Sequence, residues 1–135
     1  MTNASLASEY VADTMALVLH LEKRRSSRTV KSIFDSADLG TITIHNPAMV
    51  FSEILYLSER KRIALTLAEV ETHLRTFTSY RESPMSLAIV ENARQITDIP
   101  ELHDRLIAST ANSLELDIIT NDPKIRASKF VNTVW

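Results

Sequence analysis

Cysteine is absent from this chain of 135 residues, which removes disulfides, thiolate catalysis and Cys-type zinc sites together. The absence fits a reducing compartment. Glycine is nearly absent as well, with Gly40 standing alone. A Walker loop or a G-x-G-x-x-G dinucleotide loop needs several glycines for close backbone approach to phosphate, so neither is present. No apolar run approaches the roughly 20 residues that span a bilayer. Met1 to Glu9 is polar and offers no basic region followed by an apolar stretch, so no signal peptide is expected. A cytoplasmic protein without membrane association is the simplest expectation. Strong charge of one sign is missing too: 15 Lys+Arg against 17 Asp+Glu leave a formal net charge of −2. That argues against coating nucleic acid by bulk electrostatics, but not against an enzyme that holds a phosphodiester at one metal site.

What is present is ordinary in bulk, with 44% hydrophobic and 24% charged residues. The length suits one domain over residues 1–135, with residues 1–8 a loose N-terminal extension. Tyr10-Val11-Ala12 reads as a first buried strand ending at Asp13, and Thr14 to about Lys23 as a helix. Ser27 caps a second helix, Arg28 to Leu39, which Gly40 closes. Thr41 to Ile44 is β-branched throughout and is the clearest strand. Asn46 caps, and Pro47 opens, a helix to about Lys61. Further helices are expected from Thr66 or Leu67 to Tyr80 and from Leu87 to Gln95, with Glu82-Ser83-Pro84 as a link between them. Asp98-x-x-Glu101 has capping-box spacing and opens a helix from about Ile99 to Glu115. Leu116 to Thr120 is a third strand, Pro123 starts at most one turn, and Phe130 to Trp135 is a candidate last strand. Strands separated by helices imply an α/β three-layer sandwich with a short, mostly parallel central sheet flanked by helices.

The informative residues are acids in unexpected places. Asp13 and Asp122 each follow a strand, at the carboxyl edge where open α/β sheets place ligands. Such residues also cap helices or turns. Glu53 shares a helix flank with Met49, Val50 and Leu57, and a lone buried carboxylate needs a partner or a cation. The other reading of Glu53 is a solvent-facing edge. Asp104 shares a face with Ile107, Ala108 and Ala111, unless it pairs with Arg105 or another nearby base. Together these positions can meet at the switch-point crevice of a doubly wound sheet. There they would repel one another unless a cation neutralised them. An all-oxygen set favours Mg²⁺ or Mn²⁺ over Zn²⁺.

The segments Tyr10–Leu17, Ser52–Leu55, Leu102–Ala108 and Ile118–Asp122 resemble, in order, the four acidic motifs of PIN-domain nucleases. The ending Val131–Trp135 is similar to that of VapC toxins, and the resemblance covers about Tyr10 to Trp135. It implies that Asp13, Glu53, Asp104 and Asp122 are catalytic and metal-binding acids, with Thr14 and Thr120 as supporting hydroxyls. The implied activity is endoribonucleolytic. One or two Mg²⁺ (or Mn²⁺) ions would lower the pKa of a bound water for in-line attack on RNA. The implied context is the toxin of a type II toxin–antitoxin pair, a homodimer with an antitoxin partner. The alternatives are a PIN nuclease in RNA processing without an antitoxin, or a catalytically silent RNA-binding or scaffold domain. The intact acid quartet argues against a silent domain. The chain departs from the family at Leu114-Glu115-Leu116, where a glycine often precedes the strand, and Asn121 falls at a variable position.

Other acid-bearing α/β folds fit less well. Haloacid-dehalogenase-type phosphatases want Asp-x-Asp after the first strand, and Met15 stands at that third position. The acidic pair and phosphoacceptor Asp of receiver domains are not visible either. Basic residues cluster at Lys23-Arg24-Arg25-Arg28-Lys31, Arg60-Lys61-Arg62 and Lys124-Arg126-Lys129. They are solvated faces or a rim guiding RNA phosphates. His20, His45, His73 and His103 share no metal-ligand spacing, and His103 is expected to be structural. Leu17, Leu21, Ile33, Phe34 and Tyr56 are either core or a groove for a partner helix.

Overall fold

Five parallel strands in the order β3-β2-β1-β4-β5 form the central sheet of the computed structural model, which describes residues 7–135. Most of the expected N-terminal extension therefore lies outside the described residues. The strands are β1 (Glu9–Ala12), β2 (Thr43–Pro47), β3 (Tyr80–Ser83), β4 (Ile118–Ile119) and β5 (Thr133–Val134). Between β1 and β2 run α1 (Thr14–Leu21) and α2 (Arg28–Asp38), and between β2 and β3 run α3 (Ala48–Glu59) and α4 (Leu67–Thr76). Helices α5 (Leu87–Gln95) and α6 (Leu102–Leu114) lead into β4, and the one-turn α7 (Pro123–Arg126) leads into β5. The expected three-layer α/β architecture is present, with a sheet parallel throughout. Val11, Ile44, Ile118 and Ile119 of the sheet are fully buried against Leu17, Phe34, Ile54 and Ile107 of the helices. Leu17, Ile33 and Phe34 thus belong to the core. Among the described residues no helix is long and apolar enough to cross a membrane.

The structure departs from the sequence expectations in three places. Helix α4 stops at Thr76, with Phe77 already extended, and Tyr80 begins a strand instead of ending a helix. Thr76-Phe77-Thr78 is β-branched and aromatic, which suits a pleated path once a neighbour offers hydrogen bonds. Strand β2 is that neighbour: Ile44 N donates to Ser79 O at 2.9 Å, and Ile44–Pro47 runs in register with Tyr80–Ser83. Tyr80 is also anchored from outside the sheet, its hydroxyl donating to Asp38 at 2.7 Å.

The second departure is at Asn46 and Pro47, which extend β2 instead of opening the helix. Buried Asn46 turns its amide onto the carbonyls of Ile44 (3.3 Å) and Arg81 (3.0 Å). Helix α3 consequently starts without a side-chain cap. The third departure is the start of α6 at Leu102, with Glu101 as its N-cap, accepting from Asp104 N at 3.0 Å. Pro100 disfavours helical backbone at Ile99. Asp98, freed from capping, accepts from Ser128 Oγ (2.8 Å) and Lys129 N (2.7 Å), tying the C-terminal segment to the start of α6.

The end of α6 explains the missing glycine. Glu115 closes the helix at φ 56°, ψ 43°, a left-handed conformation that costs an L-residue about 1–2 kcal/mol. Glycine adopts it without that penalty but loses more chain entropy on folding. Glu115→Gly is therefore expected to raise stability by about 0.5–1 kcal/mol in urea unfolding. A destabilised variant would mean that the Glu115 side chain makes up for its backbone strain.

Candidate metal centre

Strand order places the site. Strand β1 has β2 on one side and β4 on the other, so the chain changes direction between β1 and β4. In open α/β sheets the crevice at the carboxyl ends of such strands is where ligands bind. Asp13 follows β1 there, its amide bonded to Ile119 O of β4 at 3.1 Å. Thr120 and Asp122 follow β4 in the same region. Glu53 comes in from the second turn of α3 and Asp104 from the first turn of α6.

All four acids line one cleft of about 1160 Å³, together with Thr14. The helix-cap readings also hold. Asp13 accepts from Ala16 N at 2.8 Å as the N-cap of α1, and Asp122 accepts from Lys124 N at 2.8 Å as the N-cap of α7. One carboxylate oxygen used in capping leaves the other for a ligand. Thr14 donates its hydroxyl to Glu53. Thr120 is fully buried and does not line the cleft; its hydroxyl accepts from Asp122 N at 3.0 Å.

Burial and mutual repulsion raise three of the four carboxyls. Burial pushes the Asp13 carboxyl up to about 6, with repulsion from Asp122 and Glu53 adding to it. The Thr120 hydroxyl and Ala16 amide pull the other way. Asp104 is also pushed up to about 6, first by burial and then by Asp122, Glu101 and Glu53; Lys124 opposes the rise. Glu53 lies above its ordinary value, chiefly through burial, with Thr14 and His103 offsetting part of it. The alternative Asp104–Arg105 pair does not form: among the described residues no cation lies within ion-pair distance of Asp104.

The four acids face the cleft without closing on one another. Among the described residues, the only His, Asp and Glu group with ligating atoms all within 4.8 Å is His20, Asp38 and His73, elsewhere in the fold. An open, all-oxygen set fits a hard divalent cation, since Mg²⁺ keeps several waters and takes only one or two carboxylates. The residues present therefore fit Mg²⁺ or Mn²⁺.

Other cleft residues were not singled out as site residues in the sequence. Lys124, Tyr56 and the C-terminal Trp135 line it. Lys124 follows Asp122 by two residues within a basic cluster read as a solvated face or an RNA-guiding rim, and Tyr56 follows Glu53 by one helical turn, whereas Trp135 has no such link. His103, expected to be structural, is exposed at the cleft, with Nδ1 3.4 Å from Glu101. Glu101 was legible as a capping residue, though not as a charge acting on the site.

Sheet order and cleft together define an α/β protein with a carboxylate-lined ligand site at its topological switch point. The chain belongs to the PIN domain family, whose model matches residues 10–131. No curated protein matches it in sequence. Solved structures share its fold. VapBC2 from Rickettsia felis, bound to a DNA fragment from its promoter, aligns at TM-score 0.71 with 17% identity, over 94% of this chain and 98% of that one. DNA-bound VapBC from Salmonella typhimurium aligns at 0.69 with 12% identity, over 95% and 98%. VapC20 from Mycobacterium tuberculosis, a Sarcin-Ricin loop cleaving toxin, aligns at 0.66 with 16% identity, over 90% and 96%.

The raised carboxyls carry a sign that can be measured. A folded-state value of about 6, against an ordinary 3.8, means that the folded protein holds the Asp104 proton more tightly than the unfolded chain. The metal-free protein should therefore gain stability from this group as pH falls from about 7 towards 4. Asp104→Asn removes the unfavourable charge, so it should be more stable than wild type at pH 7 in EDTA. Its advantage should shrink at pH 5. Melting curves of both proteins at the two pH values check this, and an advantage equal at both would contradict the coupling.

Proposed function

We propose that this chain is a divalent-cation-dependent endoribonuclease acting as the toxin of a type II toxin–antitoxin pair. One observation carries the reading: the acids of all four PIN-like motifs line a single cleft, where burial and then mutual repulsion hold two of them near 6. Asp13, Glu53, Asp104 and Asp122 would hold Mg²⁺ or Mn²⁺. When bound, the ion supplies charge neutralisation and Lewis acidity for hydrolysis of a phosphodiester.

The chain's own groups supply the rest. The Thr14 hydroxyl fixes one Glu53 oxygen and the Asp13 and Asp122 caps hold those carboxylates to rigid helix starts, so the acids are presented in set orientations. Lys124 brings positive charge to a cleft that would otherwise repel RNA, and the His103 ring stands at the same cleft. Tyr56, with the Arg60 guanidinium 4.5 Å over its ring, and Trp135 give the cleft aromatic walls suited to stacking on unpaired bases.

The likeness to VapC folds supports the toxin reading, since VapC20 is described as cleaving the Sarcin-Ricin loop and other neighbours are VapBC complexes. Half-exposed Met15, Leu55 and Tyr56 leave apolar surface on α1 and α3 for an antitoxin or a second copy in a homodimer.

RNA cleavage should require Mg²⁺ or Mn²⁺ and stop in EDTA, and Asp104→Asn should lower the rate by orders of magnitude. Undiminished cleavage in EDTA would refute the metal reading, and a variant within about twofold of wild type would remove Asp104 from it. The basic clusters should matter unequally. Lys124→Ala is expected to weaken RNA binding to the metal-free protein and to reduce the salt slope by about 0.7–0.9. The Arg24→Ala, Arg25→Ala double variant should change neither: Arg24 is engaged with Glu22 at 3.1 Å, and neither residue lines the cleft. The reverse ranking in a salt-dependent binding assay would move the RNA path to the far end of α1.

A further inference from the structure

We propose that His20, Asp38 and His73 form a second cation site, selective for a zinc-class transition metal and separate from the carboxylate cleft. The three residues lie far apart in sequence, which is why no ligand spacing is visible there. The fold gathers them from the last turn of α1, the last residue of α2 and the middle of α4. Along α1, His20 is seven residues beyond Asp13, roughly 10 Å away at 1.5 Å per residue, so one ion cannot serve both sites.

The atoms are arranged as ligands would be. Nε2 of His20 is 2.9 Å from Asp38 Oδ2, and Nε2 of His73 is 3.4 Å from Asp38 Oδ1. Ligands on a tetrahedral zinc at about 2.0–2.1 Å are themselves roughly 3.4 Å apart, so little movement would seat an ion among them. His73 Nε2 is the telling atom. It is cut off from solvent and makes no well-aligned hydrogen bond, lying 3.4 Å from Asp38 Oδ1. Buried polar atoms are nearly always satisfied, and this one faces the other two ligands.

The surroundings match as well. The Tyr80 hydroxyl donates to Asp38 at 2.7 Å and fixes the carboxylate, as outer partners of metal ligands do. His20 stacks on Phe34 at 4.7 Å, and His73 lies against Phe77 at 4.4 Å and edge-on to Tyr80 at 4.5 Å, so both rings are held. A shallow hollow of about 400 Å³ lies beside His73, bounded by Thr72, Thr76 and Phe77, though neither His20 nor Asp38 lines it. Two imidazoles and one carboxylate suit Zn²⁺ or Co²⁺ and are a poor set for Mg²⁺. With three protein ligands, a fourth position stays open to water. Bound there, zinc would clip α1, α2 and α4 together behind the cleft.

Long-range ¹H–¹⁵N spectra of the histidine rings, followed through a ZnCl₂ titration of the wild-type protein, test this without any variant. The Nε2 signals of His20 and His73 should both shift and saturate near one equivalent. His45 should stay in place, and MgCl₂ should move neither His20 nor His73. Zinc affinity read from this titration should fall about tenfold to a hundredfold in Tyr80→Phe, and at least as far in His73→Gln. If the His20 and His73 signals stay in place through several equivalents of zinc, whatever His103 does, the cluster is a hydrogen-bonded pin and the site is refuted. A His73→Gln protein with undiminished zinc response at His20 would refute it too.

Discussion

Four carboxylates facing one cleft repel, and the fold of this protein is arranged so that they must. Parallel order puts β1 beside β4, which brings Asp13 and Asp122 to the same sheet edge. Helices α3 and α6, packed on each other, deliver Glu53 and Asp104 to that edge. A fold selected only for stability would place bases among these acids. Here Lys124 offsets only part of the rise at Asp104, and the balance stays negative. The Thr120 hydroxyl and the capping Ala16 amide offset part of the rise at Asp13 and leave its carboxyl near 6. The cleft thus carries a negative balance that a bound cation would offset.

Much of this was legible in the sequence because strands buried on both faces and acids that break an apolar pattern are local signals. Tyr10-Val11-Ala12 followed by Asp13, and Ile118-Ile119 followed by Thr120 and Asp122, each announce a strand with a polar end. Glu53 stood out against its apolar flank for the same reason. The missed features depend on partners distant in sequence. Strand β3 exists because β2 offers it hydrogen bonds and Asp38 anchors Tyr80. Asn46 looked like a helix cap but serves the sheet, since its amide reaches Arg81 O across the strand pair. Trp135 enters the cleft through the path of the C-terminal segment, which has no local code. Glu115 is the converse case: an apparent departure from the family glycine proves to sit in the backbone conformation that glycine favours.

The two candidate cation sites separate by donor chemistry. The cleft offers carboxylate oxygens spread around a wide opening, suited to a hydrated hard ion that a substrate phosphate can also reach. The second offers two imidazoles and one carboxylate, closely set and walled by aromatic rings. Such a difference lets one chain hold two kinds of ion without exchange between them. It also divides their consequences: the first concerns chemistry at the sheet edge, the second the mutual packing of α1, α2 and α4.

Anomalous scattering from crystals grown with Mn²⁺ tests the central claim most directly. The account predicts a manganese peak inside the cleft, coordinated by at least two of Asp13, Glu53, Asp104 and Asp122. A cleft without manganese, with the four carboxylates still facing each other or with the metal bound only at His20, Asp38 and His73, would contradict it.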